Sequence, residues 1–318
     1  MPREAINGIQ LIYSRFEPSP GLGVVEKTPI LLLHALGTTD NSYQDLSRVF
    51  RNSNSSFVVI RNLGSWSSHR PKLPLSIPLL ASLMLEFLDR LSIAKAVVVG
   101  HHLGALVAAY MASTWSERVE TLVMIGPIHP EKRRSEYEAL ILRITKDGSM
   151  RDYANSIAGS HLGSKATVHH RACVYATLVA CRVADFIAQC RIIAEAAEPF
   201  YPGIICPTLI IGGADEALDP SERYGDILVR LGKARIPSES AGMPRGQLAH
   251  IQLVPGVGDY QVIEAGEKVG KMIVGFLDTT ARANTNDTTP RPDESASSVE
   301  LGHGADGKPV AGFFAIRS

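Results

Sequence analysis

Continuous apolar runs alternate with stretches of helical periodicity along most of the chain. The strand-like runs are 29–34, 57–62, 97–100, 121–127 and 207–213, and 6–16 has the pattern of an edge hairpin that turns at Asn7-Gly8. Continuous apolar runs are typical of strands that are buried on both faces, and the helical stretches between them are typical of crossovers. The pattern therefore predicts an α/β fold with a mostly parallel, doubly wound sheet.

The alternation stops between residues 129 and 206, where the periodicity is helical throughout. Helices are predicted over 131–145, 150–160 and, as one long apolar helix, 167–197. An all-helical insert at the carboxyl edge of a sheet, where ligands bind, predicts a helical cap over 129–206 and a core made of 1–128 and 207–278. Residues 279–298 are rich in Thr, Asn, Asp, Pro and Ser, so 279–318 is predicted to be a disordered C-terminal tail.

Composition narrows the class of partner. With 318 residues, 45% of them hydrophobic and 20% charged, the chain can bury a sizeable core. Lys+Arg and Asp+Glu number 32 each, so the formal net charge is zero and neither nucleic acid nor a membrane surface is an expected partner. A small substrate without strong charge is expected instead. The sequence leaves a homodimer open.

The compartment is predicted from segments and cysteines. No apolar run approaches the ~18 residues of a membrane span, and the N-terminus lacks the apolar segment of a signal peptide. Cys173, Cys181, Cys190 and Cys206 are too few for a disulfide scaffold, and the first three recur at roughly two-turn spacing in one predicted helix. These features predict free thiols and a cytoplasmic protein.

The most informative stretch is 97–110, where a strand pattern changes abruptly into a helical pattern at His102. Glycines stand two positions before and two positions after this point, at Gly100 and Gly104. A side chain at either place would collide with the neighbouring backbone. This is the spacing of the nucleophile elbow, G-x-S-x-G, and here the chain resembles the α/β-hydrolase superfamily. The nucleophile position, however, holds His102.

Other motifs follow in the order that the resemblance implies. His34-Ala35-Leu36-Gly37 stands where the family has H-G-x-G, so the backbone N–H groups of Leu36 and Leu103 are expected to form the oxyanion hole. Asp215 takes the place of the acid in the catalytic triad. The family's P-G-x-G-H loop corresponds to 255–259, which puts Asp259 in the position of the catalytic histidine.

The two substituted triad positions are complementary, because the resemblance places their side chains in contact. We expect His102 to act as a general base or acid that Asp259 orients and whose pKa Asp259 raises. Such a pair suits a lyase, cyclase or isomerase that moves protons next to a carbonyl group, for example in secondary metabolism. Two alternatives stay open: hydrolysis of an ester or lactone by water that His102 activates, and a binding or interaction protein whose catalytic site has decayed.

The wide apolar composition of the predicted cap favours a bulky hydrophobic substrate that contains a carbonyl group. The candidate substrate contacts are His34 and His101 in the core and Leu178 and Phe186 in the cap. His161 and the adjacent pair His169-His170 are expected to be solvent or core residues, because neighbouring histidines on a helix cannot face one metal. Neither a metal nor a cofactor is expected, since no phosphate-binding or dinucleotide-binding motif is visible.

Overall fold

The computed structural model describes residues 2–18, 27–64, 75–218, 220–231 and 249–285. Within them, eight strands form one sheet in the order β1-β2-β4-β3-β5-β6-β7-β8. The strands are β1 (Arg3–Ile6), β2 (Ile9–Phe16), β3 (Ile30–Leu33), β4 (Phe57–Ile60), β5 (Ala96–His101), β6 (Val119–Ile125), β7 (Thr208–Gly213) and β8 (Ala249–Val254). The helices are α1 (Gln44–Asn52), α2 (Ile77–Arg90), α3 (Leu103–Thr114), α4 (Pro130–Asp147), α5 (Arg151–Ser160), α6 (Val168–Ala180), α7 (Val183–Ala194), α8 (Pro220–Arg230), α9 (Gln261–Glu264) and α10 (Gly266–Thr285).

The sheet is parallel except at one edge. β1 and β2 form an antiparallel hairpin, which turns at Asn7 (φ 50°) and Gly8 (φ 78°) as the Asn-Gly pair predicts. β2 is also antiparallel to β4, whereas the neighbours from β4 to β8 are all parallel. The predicted mostly parallel sheet is therefore confirmed.

Both faces of the sheet are covered. In β3, Leu31 and Leu33 pack into the hydrophobic core on one face, and Ile30 and Leu32 pack into the core on the other. All four side chains are buried, because side chains alternate across a strand and each face here has its own helical layer. This explains why the strand-like runs in the sequence are continuous rather than alternating.

Between β6 and β7 the chain forms four helices, α4 to α7, which we call the cap helices. The prediction of one long helix over 167–197 is wrong, because the backbone of Cys181 and Arg182 is extended and the axes of α6 and α7 differ by 96°. Cys173 and Cys190 therefore lie on different helices; all four cysteines are free thiols. The bounds 129–206 for a cap domain stay a prediction.

Length and apolar composition decide whether a helix in the described ranges could span a membrane. No single helix is both long and apolar enough to cross a membrane. α6 and α7 meet the requirement only when they are taken together, as a bent pair.

The C-terminal helix extends further than the sequence predicts. α10 continues to Thr285, so the first part of the predicted disordered tail, 279–285, is helical. Its side chains Ile273 and Phe276 are buried in the core on the α1 side of the sheet. Thr280, beyond the last strongly apolar position, is buried as well. The rest of the predicted tail, 286–318, lies outside the described residues.

Candidate active site

The turn between β5 and α3 has the shape of a nucleophile elbow. His102 stands at its apex with φ 52° and ψ −106°, a left-handed backbone conformation that side chains rarely adopt. A Cβ atom at Gly100 would lie 2.2 Å from the carbonyl oxygen of Gly104, and one at Gly104 would lie 2.1 Å from that of Leu33. Only glycine fits at these two positions, so the chain can turn this sharply and present His102.

The imidazole of His102 meets a tyrosine from the first cap helix. Its Nε2 lies 3.0 Å from the hydroxyl of Tyr137. Its Nδ1 is buried and has no hydrogen-bond partner among the described residues. Burial, followed by nearby charges that include Arg133 and Arg223, lowers the pKa of His102 well below the usual range for histidine. His102 is therefore neutral at neutral pH.

The hydroxyl of Tyr137 keeps its proton, so both partners of this contact are uncharged. Its side chain, which extends from α4 to the elbow, is buried. This burial raises the pKa of the hydroxyl. The guanidinium carbon of Arg133 lies 5.6 Å from the centroid of its ring. No motif in the sequence marks Tyr137, because its role depends on the distance between α4 and the elbow.

Asp259 pairs with a histidine other than the predicted one. Its Oδ2 lies 2.7 Å from Nδ1 of His161, and its backbone N–H donates to the carbonyl oxygen of His161 at 2.9 Å. The predicted pair of His102 and Asp259 is not formed. The predicted rise in the pKa of His102 is also wrong, because burial and arginine charges act on this ring instead of a carboxylate.

Asp215, the predicted acid of the triad, forms a hydrogen bond with the loop between α5 and α6. It is exposed, and its Oδ2 accepts the backbone N–H of Ser164 at 2.8 Å. Hydrogen bonding from Ser164 lowers the pKa of Asp215. The buried acid is its neighbour Glu216, which accepts hydrogen bonds from Gly213 N–H at 2.7 Å and from Gln261 Nε2 at 2.6 Å. Glu216 also pairs with Arg223.

The predicted oxyanion-hole residues are Leu36, in the loop after β3, and Leu103, the first residue of α3. Within the described ranges, neither the N–H of Leu36 nor that of Leu103 has an acceptor. The loop that carries Leu36 is fixed by Gly37, whose N–H donates to Oε1 of Gln189 at 2.8 Å. Both N–H groups are therefore unpaired in the described part of the chain, and an oxyanion hole formed by them stays a prediction.

Three of the four predicted substrate contacts, His34, Leu178 and Phe186, do not line the cavity that is described below. His34 is buried: its Nδ1–H donates to Ala35 O and its Nε2 accepts from Leu63 N–H, both at 2.8 Å, so it joins two loops. Burial lowers the pKa of His34 to about 4. Leu178 and Phe186 are fully buried against Gly37, where a Cβ would lie 2.9 Å and 3.0 Å from them. Their packing fills the space between cap and core.

One cavity of about 430 Å³ lies between the cap helices and the carboxyl edge of the sheet. Its volume suits a small metabolite. The polar side chains on its wall are His101, His102, Arg133, Glu136, Tyr137, His161, Arg223, Asp259 and Gln261, and the apolar ones include Leu36, Leu140, Tyr153, Ile157 and Leu218. His101 is thus the one predicted contact that lies on the wall, and burial lowers its pKa to about 4.

The elbow, the unpaired N–H groups beside it and the parallel sheet define a site of the α/β-hydrolase type in which a histidine stands at the nucleophile position. The family described as the alpha/beta hydrolase fold matches residues 28–191, just over half of the chain. The chain belongs to this family. No protein with a curated description matches it in sequence.

Solved structures resemble the chain over most of its length. The enol-lactonase from Burkholderia xenovorans LB400 has a TM-score of 0.70 and 20% identity, and the match covers 87% of this chain and 100% of that one. A thermophilic esterase from Thermogutta terrifontis has a TM-score of 0.72 and 16% identity, and the match covers 88% of this chain and 99% of that one. A bromoperoxidase from Bacillus anthracis has a TM-score of 0.67 and 13% identity, with coverages of 85% and 96%. At these identities the likeness shows the fold.

Proposed function

We propose that this chain catalyses proton transfer next to a carbonyl group of a small metabolite, as a lyase, cyclase or isomerase without a serine nucleophile. The observation that carries the proposal is the 2.7 Å hydrogen bond between His161 Nδ1 and Asp259 Oδ2 on the cavity wall. A carboxylate that accepts from Nδ1–H fixes the tautomer and leaves Nε2 to take a proton. In the described part of the chain, Nε2 of His161 has no partner.

Tyr137 and His102 supply the acidic side of the reaction. Their environments push the two pKa values apart, so the hydroxyl keeps its proton and the imidazole stays neutral. The hydroxyl of Tyr137 can donate to a substrate oxygen, together with the N–H groups of Leu36 and Leu103. His102 acts as a positioning residue: in its Nε2–H tautomer it donates to the hydroxyl oxygen of Tyr137 at 3.0 Å, which leaves the phenol proton for the substrate.

The proposed step moves one proton and shifts two electron pairs. A proton on the carbon next to the carbonyl passes to Nε2 of His161, and the pair from the broken C–H bond forms a C=C bond. The carbonyl π pair moves to the oxygen, where Tyr137 and the two N–H groups stabilise the enolate. If the enolate is conjugated, return of the proton from His161 to the far carbon gives isomerisation. If the neighbouring carbon carries a leaving group, its bond breaks and the departing atom takes the electron pair and that proton, which gives a lyase. If the enolate carbon attacks a second carbonyl, the oxygen of that carbonyl takes the π pair and the proton, which gives cyclisation.

The substrate proposed for this step has an apolar body. Leu140, Ile157 and Leu218 contribute apolar surface to the cavity wall. This surface favours the predicted hydrophobic substrate, although its lining differs from the predicted pair Leu178 and Phe186.

Hydrolysis of an ester or lactone is the second candidate, and the enol-lactonase and the esterase among the similar structures favour it. In this reaction Nε2 of His161 would take a proton from water, and the resulting hydroxide would attack the carbonyl carbon directly. The oxygen of the tetrahedral intermediate would bind at the N–H groups of Leu36 and Leu103. The C–O bond to the alcohol would then break, the leaving oxygen would take the proton back from His161, and no acyl-enzyme would form.

The test follows proton exchange and bond cleavage in the same sample. Wild type is incubated in D₂O with 1,3-diketones, β-hydroxy ketones and enol lactones, and NMR records deuterium at the carbon next to the carbonyl, elimination and hydrolysis. His161→Gln, Asp259→Asn and Tyr137→Phe should each reduce turnover by about 10²–10⁴-fold. The double variant of His161 and Asp259 should lose little more than His161→Gln alone, because the two residues act as a unit.

The control is His169→Gln, which changes an exposed histidine of the cap helices and should leave turnover unchanged. Hydrolysis without exchange at the neighbouring carbon would favour the second candidate. Full turnover in His161→Gln would overturn both. Binding of the probes with neither reaction would leave a ligand-binding protein.

A further inference from the structure

The geometry points to a substrate that carries a carboxylate, which Arg133 and Arg223 bind in the cavity beside Tyr137. This inference rests on the proposed acid–base function, since it names the class of substrate: an oxo acid with an apolar body. Among the described residues these two are the only lysines or arginines on the cavity wall. They come from different parts of the chain, α4 and α8, and converge on the same space.

Both guanidinium groups are fixed before any ligand arrives. Nη2 of Arg223 donates to Glu216 and, at 2.5 Å, to the hydroxyl of Tyr224, and its guanidinium carbon lies 4.7 Å from the centroid of the Tyr224 ring. Nε and Nη2 of Arg133 both lie 2.7 Å from Oε2 of Glu136. A group held in this way loses little conformational freedom when it binds an anion.

Donors remain on both arginines. The side chain of Arg223 is only 9% exposed, yet its Nε is buried without a partner among the described residues. Nη1 of Arg223 and Nη1 of Arg133 likewise have no acceptor in the described part of the chain. An unpaired N–H of a buried cation needs an acceptor, and the two oxygens of a carboxylate match a guanidinium better than a single neutral oxygen does.

The position of the arginines relates the anion to the reaction. Arg133 lies 5.6 Å from the Tyr137 ring centroid, and the His102 ring lies 6.3 Å from it, so the cation and the imidazole flank the same phenol. The charges of both arginines also act on His102. A carboxylate bound there would lie close to the carbonyl that Tyr137 polarises. The sequence predicts a substrate without strong charge, because a net charge of zero does not show which charged groups share one cavity. The wall also carries two carboxylates, of which Glu136 pairs with Arg133 and Asp259 with His161.

The test compares one oxo acid with its own ester. 4-Oxopentanoate and its methyl ester share the carbonyl and the chain but differ in charge, and the dissociation constant of each is measured by NMR titration at low salt. Wild type should bind the acid about tenfold more tightly than the ester. Arg133→Gln and Arg223→Gln should each abolish most of this preference. Arg143→Gln, an exposed arginine on the same helix as Arg133, should retain it.

Removal of Arg223 leaves Glu216 buried without its cation, so Arg223→Lys is the second variant if Arg223→Gln fails to fold. It retains the charge and loses the unpaired Nε–H, and it should lose part of the preference. Equal affinity for acid and ester, no binding of either, or a preference that survives in Arg133→Gln and in the folded Arg223 variant would overturn the inference. Preference for the acid without any proton exchange would instead count against the proposed function alone.

Discussion

Oε1 of Gln189 accepts the N–H of Gly37 at 2.8 Å, so a cap helix fixes the loop that carries Leu36. The Nε2 of Gln189 donates to Leu63 O, also at 2.8 Å, and the residue is only 1% exposed. Gln189→Leu would leave two buried backbone groups unpaired, which costs about 1–3 kcal/mol for each. We expect urea unfolding to show this loss, and turnover to fall as the Leu36 N–H moves. Unchanged turnover together with a clear loss of stability would show that the position of this loop does not affect the reaction.

Leu178 offers a contrast on the same side of the cap. Leu178→Ala removes packing against Gly37 but no hydrogen bond, and the residue is absent from the cavity wall. The free energy of unfolding should drop by about 2–5 kcal/mol, as for other truncations in a core. The affinity for 4-oxopentanoate should not change. Weaker binding with an unchanged melting temperature would restore Leu178 as a substrate contact.

The elbow glycines should tolerate no side chain. In Gly104→Ala the new Cβ would lie 2.1 Å from a backbone oxygen, so we expect little folded protein or a strongly lowered melting temperature. Gly159→Ala, in α5, is the control, because nothing lies within 4 Å of its Cβ. Alanine at that helical position should stabilise the protein by about 0.5–1 kcal/mol. Equal melting temperatures for the two variants would contradict the elbow geometry.

Strain at the elbow apex can be measured with two substitutions at one site. His102→Gly and His102→Ala both lose the hydrogen bond to Tyr137, but only glycine adopts φ 52° without strain. The glycine variant should therefore be more stable than the alanine variant by about 1–3 kcal/mol. Thermal unfolding of both proteins gives the comparison. An alanine variant as stable as the glycine variant would show that the apex relaxes.

Two buried histidines should make the protein sensitive to acid. His34 and His101 have pKa values of about 4 in the folded state because of burial, against 6.5 for the free side chain. Between these values the unfolded chain binds protons that the folded chain does not bind, so stability falls as the pH drops from 6.5 to about 4. The full loss is about 3 kcal/mol for each histidine.

Urea unfolding at several pH values would measure this slope. His34→Gln should be less stable at pH 7 but show a shallower slope, because one of the buried histidines that cause it is gone. His169→Gln changes an exposed histidine and should keep the wild-type slope. Identical slopes in all three proteins would show that His34 does not cause the acid sensitivity.

The parts of this structure that the sequence predicts depend on neighbours in the chain. The Asn7-Gly8 turn, the continuous apolar strands and the glycines around His102 are local requirements of backbone geometry and burial. The break between α6 and α7 is also local, but the apolar pattern continues through it, so periodicity could not locate it.

The parts of the site that the sequence does not predict depend on contacts between distant residues. His161 and Asp259 are 98 residues apart, and Tyr137 and His102 are 35 apart. Asp259 lies on the cavity wall, but its partner His161 comes from the cap helices and not from the elbow. Asp215 matches the family position, yet the buried acid is Glu216, because a side chain's direction after the end of a strand is set by what packs around it.

Chemical labelling can identify the reactive group without a substrate. A serine-directed fluorophosphonate should leave the site unlabelled, because the elbow apex carries an imidazole and no activated hydroxyl.

Diethyl pyrocarbonate should acylate His161 at its free Nε2 and spare His34, because both ring nitrogens of His34 are hydrogen-bonded in the core. Asp259→Asn should slow the acylation of His161, since the carboxylate no longer fixes the reactive tautomer, while exposed His169 should react at the same rate in both proteins. Peptide mass spectrometry measures the rate of labelling at each residue, and stoichiometric labelling of a serine by the fluorophosphonate would show that the chain has a serine nucleophile.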